Sequence, residues 1–149
     1  MKYIVSACLA GLSCRYDGKA NPCQRVIDLI KEGQALPFCP EIFGGLSTPR
    51  PAAERKGSKV VTCKGQDVTT EFYKGALEGL KLAWIAGVRE AILAARSPSC
   101  GSNQIYDGTF NKKLITGDGV FAQMLREDGF RVFIEEETHL ITSGKERLG

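Results

Sequence analysis

Cysteine is the residue type with which this chain is best equipped to do chemistry, since it has six cysteines and a single histidine. Three of the six, Cys8, Cys39 and Cys100, each follow the end of a short apolar stretch. Such stretches predict buried strands, and the carboxyl ends of parallel strands form the edge where α/β folds bind ligands. We therefore expect the three thiols to share one site at that edge.

Proline and glycine stiffen the loops that carry two of these thiols. The segment Ser-Pro-Ser-Cys-Gly at 97–101 holds Cys100 on a turn, because proline fixes its own φ angle and disfavours helix at the residue before it. The segment Cys-Pro-Glu at 39–41 spaces Cys39 and Glu41 so that an extended backbone points both side chains to one face. The sequence predicts a thiol and a carboxylate presented together.

Other charged side chains lie in the loops that follow the first two strands. The glycine-bounded loop after Cys8 carries Cys14, Arg15 and Asp17, and loops dense in such groups are expected at sites rather than in cores. The same residues also fit a simple turn closed by an arginine–aspartate ion pair. Arg50, in the loop after the second strand, fits a substrate-binding role and a surface role equally well.

Spacing and composition speak against several other kinds of site. The chain has no C-x-x-C pair, which disfavours a zinc ribbon, a thioredoxin-like pair and a compact ferredoxin cluster. His139 follows a run of three glutamates in a predicted solvated tail, so histidine-dependent catalysis is disfavoured. The net charge of +3 comes from scattered side chains, which disfavours nucleic-acid binding. We expect a cytoplasmic protein with reduced thiols, no signal peptide and no membrane contact.

The elements that must position these residues alternate between strand and helix. We expect one domain, 1–149, with an α/β fold: a three-layer α/β/α arrangement around a mainly parallel, Rossmann-like or flavodoxin-like sheet. The longest helix is predicted from Thr69 or Thr70 to Ala86, with Leu77 and Trp84 among its buried residues. The remaining predicted elements are strands at 2–7, 35–38, 90–95 and 130–134, a small β excursion that pairs 58–63 with 64–68, and helices at 22–32 and 120–127.

Four segments together resemble the thiouracil desulfidase family, a set of small bacterial proteins, and the resemblance covers essentially the whole chain. The segments are Ser-Ala-Cys-Leu-x-Gly-x-x-Cys-Arg-Tyr-Asp-Gly at 6–18, Cys-Pro-Glu-x-x-Gly-Gly-Leu-x-x-Pro-Arg at 39–50, Gly-x-Asp-Val-Thr at 65–69 and Arg-Ser-Pro-Ser-Cys-Gly at 96–101.

The resemblance implies an iron–sulfur enzyme. It implies a [4Fe-4S] cluster held by Cys8, Cys39 and Cys100, with the fourth iron open to the sulfur of a thiolated pyrimidine such as 2-thiouracil. The implied reaction is non-redox: the C–S bond breaks and water replaces the sulfur, which gives uracil and hydrosulfide. Glu41 matches the family's catalytic carboxylate and Ser97 its site serine.

Roles for four further residues are held as weaker expectations. Asp17 and Asp67 lie in motif segments and are candidates for placing water or substrate, as are the cations Arg15 and Arg50. The partner expected from this reading is a small-molecule thiolated nucleobase.

Elementary chemistry is consistent with the implied reaction. Thiolates bind iron–sulfur clusters, and a cluster with three protein ligands resembles a catalytic metal site that keeps one open position. A soft iron prefers a thiocarbonyl sulfur over the ring oxygens and polarises the C–S bond. The attacking water still needs a base, and Glu41 is the candidate near the cysteines.

Three alternatives stay open at the level of sequence. Cys14 could be a fourth ligand, which would close the cluster and make it structural or electron-carrying. The chain could instead be a cysteine- or zinc-dependent hydrolase without iron, in which Cys100 is the nucleophile and Glu41 the base. It could also be a non-catalytic domain that binds a cluster or a nucleobase.

Overall fold

The computed structural model describes residues 1–141. Its strands are β1 (Tyr3–Ser6), β2 (Ala35–Phe38), β3 (Ala53–Lys56), β4 (Lys59–Thr62), β5 (Glu90–Leu93), β6 (Gln104–Tyr106), β7 (Leu114–Thr116) and β8 (Arg131–Ile134). Its α-helices are α1 (Gln24–Lys31), α2 (Pro40–Phe43), α3 (Thr69–Ala86) and α4 (Val120–Glu127). Two 3-10 helices, Ala7–Ala10 and Glu135–Leu140, follow β1 and β8.

The central sheet has four strands in the order β2-β1-β5-β8, and all of its pairs are parallel. Successive residues of a strand point to opposite faces, and β1 shows this directly. Tyr3 and Val5 pack in the apolar cluster that includes Leu29 of α1, whereas Ile4 packs in the cluster that includes residues of α3 and α4. Helices therefore cover both faces, which confirms the predicted three-layer α/β fold.

The buried face of α3 combines two large residues, Phe72 and Leu80, which the sequence predicted to be buried, with glycines and alanines. A side chain at Gly75 would place its Cβ 1.7 Å from the carbonyl oxygen of Pro40, and one at Gly79 would lie 2.6 Å from the Phe121 ring. The prediction that Leu77 and Trp84 are buried is wrong, because their exposed fractions are 43% and 52%. The helix turns its glycine face inward so that α2 can approach its backbone closely.

The small β excursion has a second partner besides the predicted one. β4 pairs with β3 in an antiparallel hairpin, and the turn is made at Gly57, whose φ is 63°. The segment 64–68 folds back on β4 as predicted, through the bridge between Asp67 and Val61 and through backbone hydrogen bonds from Thr62 to Gln66 and from Val68 to Val60. The predicted turn at Lys64-Gly65 is present, with a positive φ of 82° at Gly65, and Gly57 supplies a second tight turn, between β3 and β4.

The acidic run after β8 is structured, which corrects the expectation of a solvated tail. Glu136 forms an ion pair with Arg96 at 2.7 Å, and Glu137 accepts a hydrogen bond of 2.9 Å from the backbone N–H of Ile134. His139 is exposed and lies outside the cavity described below. Within residues 1–141, none of the helices combines the length and apolar character needed to cross a membrane.

Candidate active site

A cavity of about 480 Å³ opens at the carboxyl edge of the central sheet. Four of the six cysteines line it, Cys8, Cys14, Cys39 and Cys100, and so does Glu41. Each strand that leads to it ends in a different loop, so the cavity collects side chains that are far apart in sequence. The predicted convergence of the three strand-end thiols on one cavity is therefore present in the structure.

Strand order explains why the thiols converge here. β2 and β5 lie on opposite sides of β1, so the connections that leave β1 and β5 diverge and open a crevice between them. Cys8 lies in the 3-10 helix directly after β1, and Cys39 lies directly after β2. Cys100 comes seven residues after β5, at the end of the stiff turn that begins at Ser97.

The segment that presents Glu41 is helical, not extended. Cys39 has an extended backbone with φ of −120° and ψ of 106°, but Pro40 then begins α2. Proline suits the first helical position because its fixed φ matches the helix and its missing N–H would have no partner there. The thiol and the carboxylate are presented together as predicted, and the helix start is what brings them together.

Burial dominates the electrostatics of two of the thiols. Desolvation, together with the nearby Cys39, raises the pKa of Cys8 to about 11. Desolvation also raises the pKa of Cys100, which is buried, although a hydrogen bond from Ser6 acts in the opposite direction. Both groups are protonated thiols at neutral pH in the metal-free chain, and a bound metal would release their protons.

Cys14 and Cys39 interact directly. A hydrogen bond from the Cys14 thiol to the Cys39 sulfur lowers the pKa of Cys39 to about 7 and raises the pKa of Cys14. The backbone of Cys14 is tied to the opposite loop, because Arg50 Nη2 donates 2.9 Å to its carbonyl oxygen. Of the four cavity thiols, Cys39 is thus the one that ionises most readily.

Two donors from different loops fix the carboxylate of Glu41. Arg50 Nε donates to Oε1 at 3.0 Å, and Ser99 Oγ donates to Oε2 at 2.7 Å. The pair is well shielded, since 6% of the Arg50 side chain and 14% of the Glu41 side chain are exposed. A carboxylate held in this way faces a cavity with a fixed orientation, which is the arrangement that a general base requires.

Ser97 stabilises the turn that carries Cys100 through hydrogen bonds to the backbone. Its hydroxyl oxygen accepts the backbone N–H groups of Ser99 and Cys100 at 3.1 and 3.0 Å, and it contacts the Ser99 hydroxyl at 3.0 Å. Sequence reasoning assigned Ser97 and passed over Ser99, which is 2% exposed and bonds directly to Glu41. The sequence signal for Ser99 was its position as the second serine of the Ser-Pro-Ser-Cys-Gly turn, next to Cys100.

The four weaker candidates divide into two groups. Arg50 and Arg15 line the cavity, whereas Asp17 and Asp67 are absent from its lining. Asp17 instead forms a 3.5 Å ion pair with Arg15 and accepts a hydrogen bond from the backbone of Lys19. This is the simple turn that the sequence left open as an alternative.

Asp67 is bound to a turn away from the cavity. Its carboxylate accepts the backbone N–H of Thr69 at 2.9 Å, and hydrogen bonds from Thr69 lower its pKa. The structure therefore gives no support to the expected substrate-binding role of Asp67. Asp67 instead holds Thr69, the first residue of α3.

Glu135 is a cavity residue that the sequence reasoning missed. It follows β8, and its carboxylate accepts the backbone N–H of Ala95 at 2.8 Å and the side-chain amide of Asn21 at 3.2 Å. It thereby ties together loops that leave three strands. Its position directly after a predicted parallel strand was the available signal, since that strand ends at the same edge.

The donor set suits a cluster better than a single ion. Within residues 1–141, no three His, Cys, Asp or Glu side chains come close enough together to hold one metal ion. A lone zinc ion therefore lacks a ready ligand set, whereas the ligands of an iron–sulfur cluster bind different iron atoms and need not meet at one point. Several thiols around a cavity of this size fit such a cluster.

Comparisons with known proteins agree with this site. The family model for 2-thiouracil desulfurase matches residues 3–137. The uncharacterized protein YbbK of Bacillus subtilis (strain 168) is 42% identical over 144 residues, covering 90% of this chain and 95% of that protein. A solved structure described as the [4Fe-4S]-dependent thiouracil desulfidase TudS superposes with a TM-score of 0.89 at 48% identity, covering 93% of each chain. The chain belongs to the 2-thiouracil desulfurase family.

Proposed function

We propose that this protein is a [4Fe-4S]-dependent desulfidase that removes sulfur from thiolated pyrimidines such as 2-thiouracil, releasing hydrosulfide. The observation that carries the proposal is the convergence of three strand-end thiols on one cavity beside a fixed carboxylate. Membership of the family and the likeness to a structure described as such an enzyme support it.

The proposed cluster ligands are Cys8, Cys39 and Cys100. All three line the cavity and lie in the loops that follow strand ends, whereas Cys14 reaches the cavity from a longer loop and donates a hydrogen bond to Cys39. A cluster held by these three thiolates would supply a Lewis acid with a free coordination position for the thiocarbonyl sulfur. Cys14 is proposed as a donor to a ligand and not as a ligand.

Glu41 is proposed as the base that takes a proton from the attacking water. Water attacks the ring carbon that carries sulfur, a C–O bond forms, and the C–S bond breaks with its electron pair leaving on sulfur. Arg50 holds the Glu41 carboxylate in place through its 3.0 Å contact. The catalytic role predicted for Ser97 stays a prediction.

The cavity wall around Arg15 and Arg50 is proposed to bind the polar edge of the substrate. Arg50 is already engaged with Glu41, so Arg15 is the cation with more freedom to meet a ligand. We propose a cytoplasmic setting and a small-molecule partner.

A single assay decides between this function and its alternatives. Protein isolated without oxygen is incubated with 2-thiouracil, and both hydrosulfide and uracil are quantified. Equal amounts of the two products, formed over many turnovers, are expected. Binding of 2-thiouracil without product would favour a non-catalytic domain, and turnover by a colourless zinc-loaded protein would favour the hydrolase.

A further inference from the structure

Ser99 and Ser97 lie two residues apart in one turn but make contacts of different kinds. Ser99 Oγ donates 2.7 Å to Glu41 Oε2, while the other carboxylate oxygen receives Arg50 Nε. Ser99 is therefore one of two donors that set the direction of this carboxylate. With 2% of its surface exposed, it makes this contact out of reach of bulk water.

The hydroxyl of Ser97 is committed to the backbone. A serine oxygen has two lone pairs, and the N–H groups of Ser99 and Cys100 occupy both in Ser97. The Ser97 hydroxyl can therefore make one further hydrogen bond only, as a donor. Because the single Ser99 proton goes to Glu41, Ser97 must be the donor in the 3.0 Å contact between the two hydroxyls.

We propose that Ser99 is the residue that positions Glu41 for catalysis, whereas Ser97 acts mainly by holding the turn that carries Cys100. This inference rests on the proposed function, and it adds a residue to the machinery with a defined bonding order, Ser97 to Ser99 to Glu41. Without Ser99, Glu41 Oε2 loses its donor and the carboxylate can rotate about its side chain. Without Ser97, two backbone N–H groups of the ligand turn lose their acceptor.

The two roles predict different signatures for two alanine variants. Ser99→Ala is expected to keep the iron content and the KM for 2-thiouracil while kcat falls about tenfold, the effect of losing one hydrogen bond to a charged group. Ser99→Thr, which keeps the hydroxyl, is expected to recover most of that loss. Ser97→Ala is expected to lower the iron-to-protein ratio, since the backbone around Cys100 is loosened.

Ser102 provides the matched control. It is buried to a similar degree, and its hydroxyl accepts a hydrogen bond from Arg126 outside the cavity lining. Ser102→Ala is expected to retain the wild-type kcat.

Two results would overturn the proposal: a wild-type kcat in Ser99→Ala, or a loss of iron in Ser99→Ala equal to that in Ser97→Ala. An inactive wild-type protein would instead defeat the proposed function, and the iron contents of the two variants would still separate the serines.

Discussion

The cavity has two walls that are built in opposite ways. The inner wall, formed by Glu41, Arg50, Ser97 and Ser99, is shielded and hydrogen-bonded throughout, with distances of 2.7–3.2 Å. The outer wall, formed by Arg15, Tyr16 and Lys112, is partly or fully exposed.

The difference indicates a division between chemistry and recognition. A base must be oriented before substrate arrives, and the inner wall fixes Glu41 from two loops. The ion pair of Arg15 with Asp17 is long at 3.5 Å, and pairs this exposed contribute little to stability. Arg15 can therefore rearrange around a ligand, and changes to the two walls should affect different kinetic constants.

Removing a proposed cluster ligand should have the largest effect, because both substrate binding and chemistry are proposed to depend on the cluster. In Cys100→Ser, we expect iron and acid-labile sulfide to fall to near zero and desulfidase activity to disappear, because a serine hydroxyl is a hard and weakly acidic ligand. The measurement is metal and sulfide analysis of protein isolated without oxygen. Cys63→Ser is the control, since Cys63 is exposed and lies outside the cavity; equal iron in both variants would contradict the ligand assignment.

Removing the proposed base from the inner wall should lower the rate of the chemical step and leave cluster binding intact. Glu41→Gln is expected to keep the iron content and to lower kcat by about a hundredfold or more, the usual contribution of a general base. The control is Glu54→Gln, because Glu54 also lines the cavity and an amide oxygen can still accept from the backbone of Gly108 and Phe110. Full activity in Glu41→Gln would remove this carboxylate from the mechanism.

Thiol reactivity tests the interior of the cavity without substrate. Since the pKa of Cys39 is lowered to about 7 and that of Cys8 is raised to about 11, a neutral alkylating reagent should label Cys39 before Cys8 in metal-free protein near pH 7.5. The thiolate forms as pH rises through the pKa, so labelling should rise across pH 6–8. Cys14→Ser should shift that rise to a different pH; labelling of Cys8 first, located by mass spectrometry, would refute the prediction.

Substitutions in the outer wall should have the smallest effects on the kinetic constants. Arg15→Ala is expected to raise the KM for 2-thiouracil about fivefold with little change in kcat, as expected for a contact made equally in ground and transition states. Asp67→Asn, outside the cavity, should leave both constants unchanged. A fall in kcat with unchanged KM in Arg15→Ala would place this arginine with the catalytic groups.

The sequence was informative wherever a local rule controls the outcome. Apolar stretches followed by Cys8, Cys39 and Cys100 predicted a shared edge, because parallel strands end together regardless of the helices between them. Helix α4 was predicted at its observed bounds, since a glycine precedes it and an apolar face runs through it.

Several of the failures are long-range. Trp84 is large and apolar, yet it lies outside because the close approach of α2 selects the glycine face of α3 and because its indole N–H bonds Asp128 at 2.8 Å. Ser99 and Glu135 act on groups 58 and 40 residues away, Glu41 and Ala95, and no periodicity in the sequence reports such pairs.

The central claim is that the thiols of Cys8, Cys39 and Cys100 hold an iron–sulfur cluster at this edge of the sheet. The most direct test is iron and acid-labile sulfide analysis of the wild-type protein, isolated and kept without oxygen. The account predicts about four iron and about four sulfide per chain, in a brown protein. Stoichiometric zinc, or a protein without metal that still releases hydrosulfide from 2-thiouracil, would contradict it.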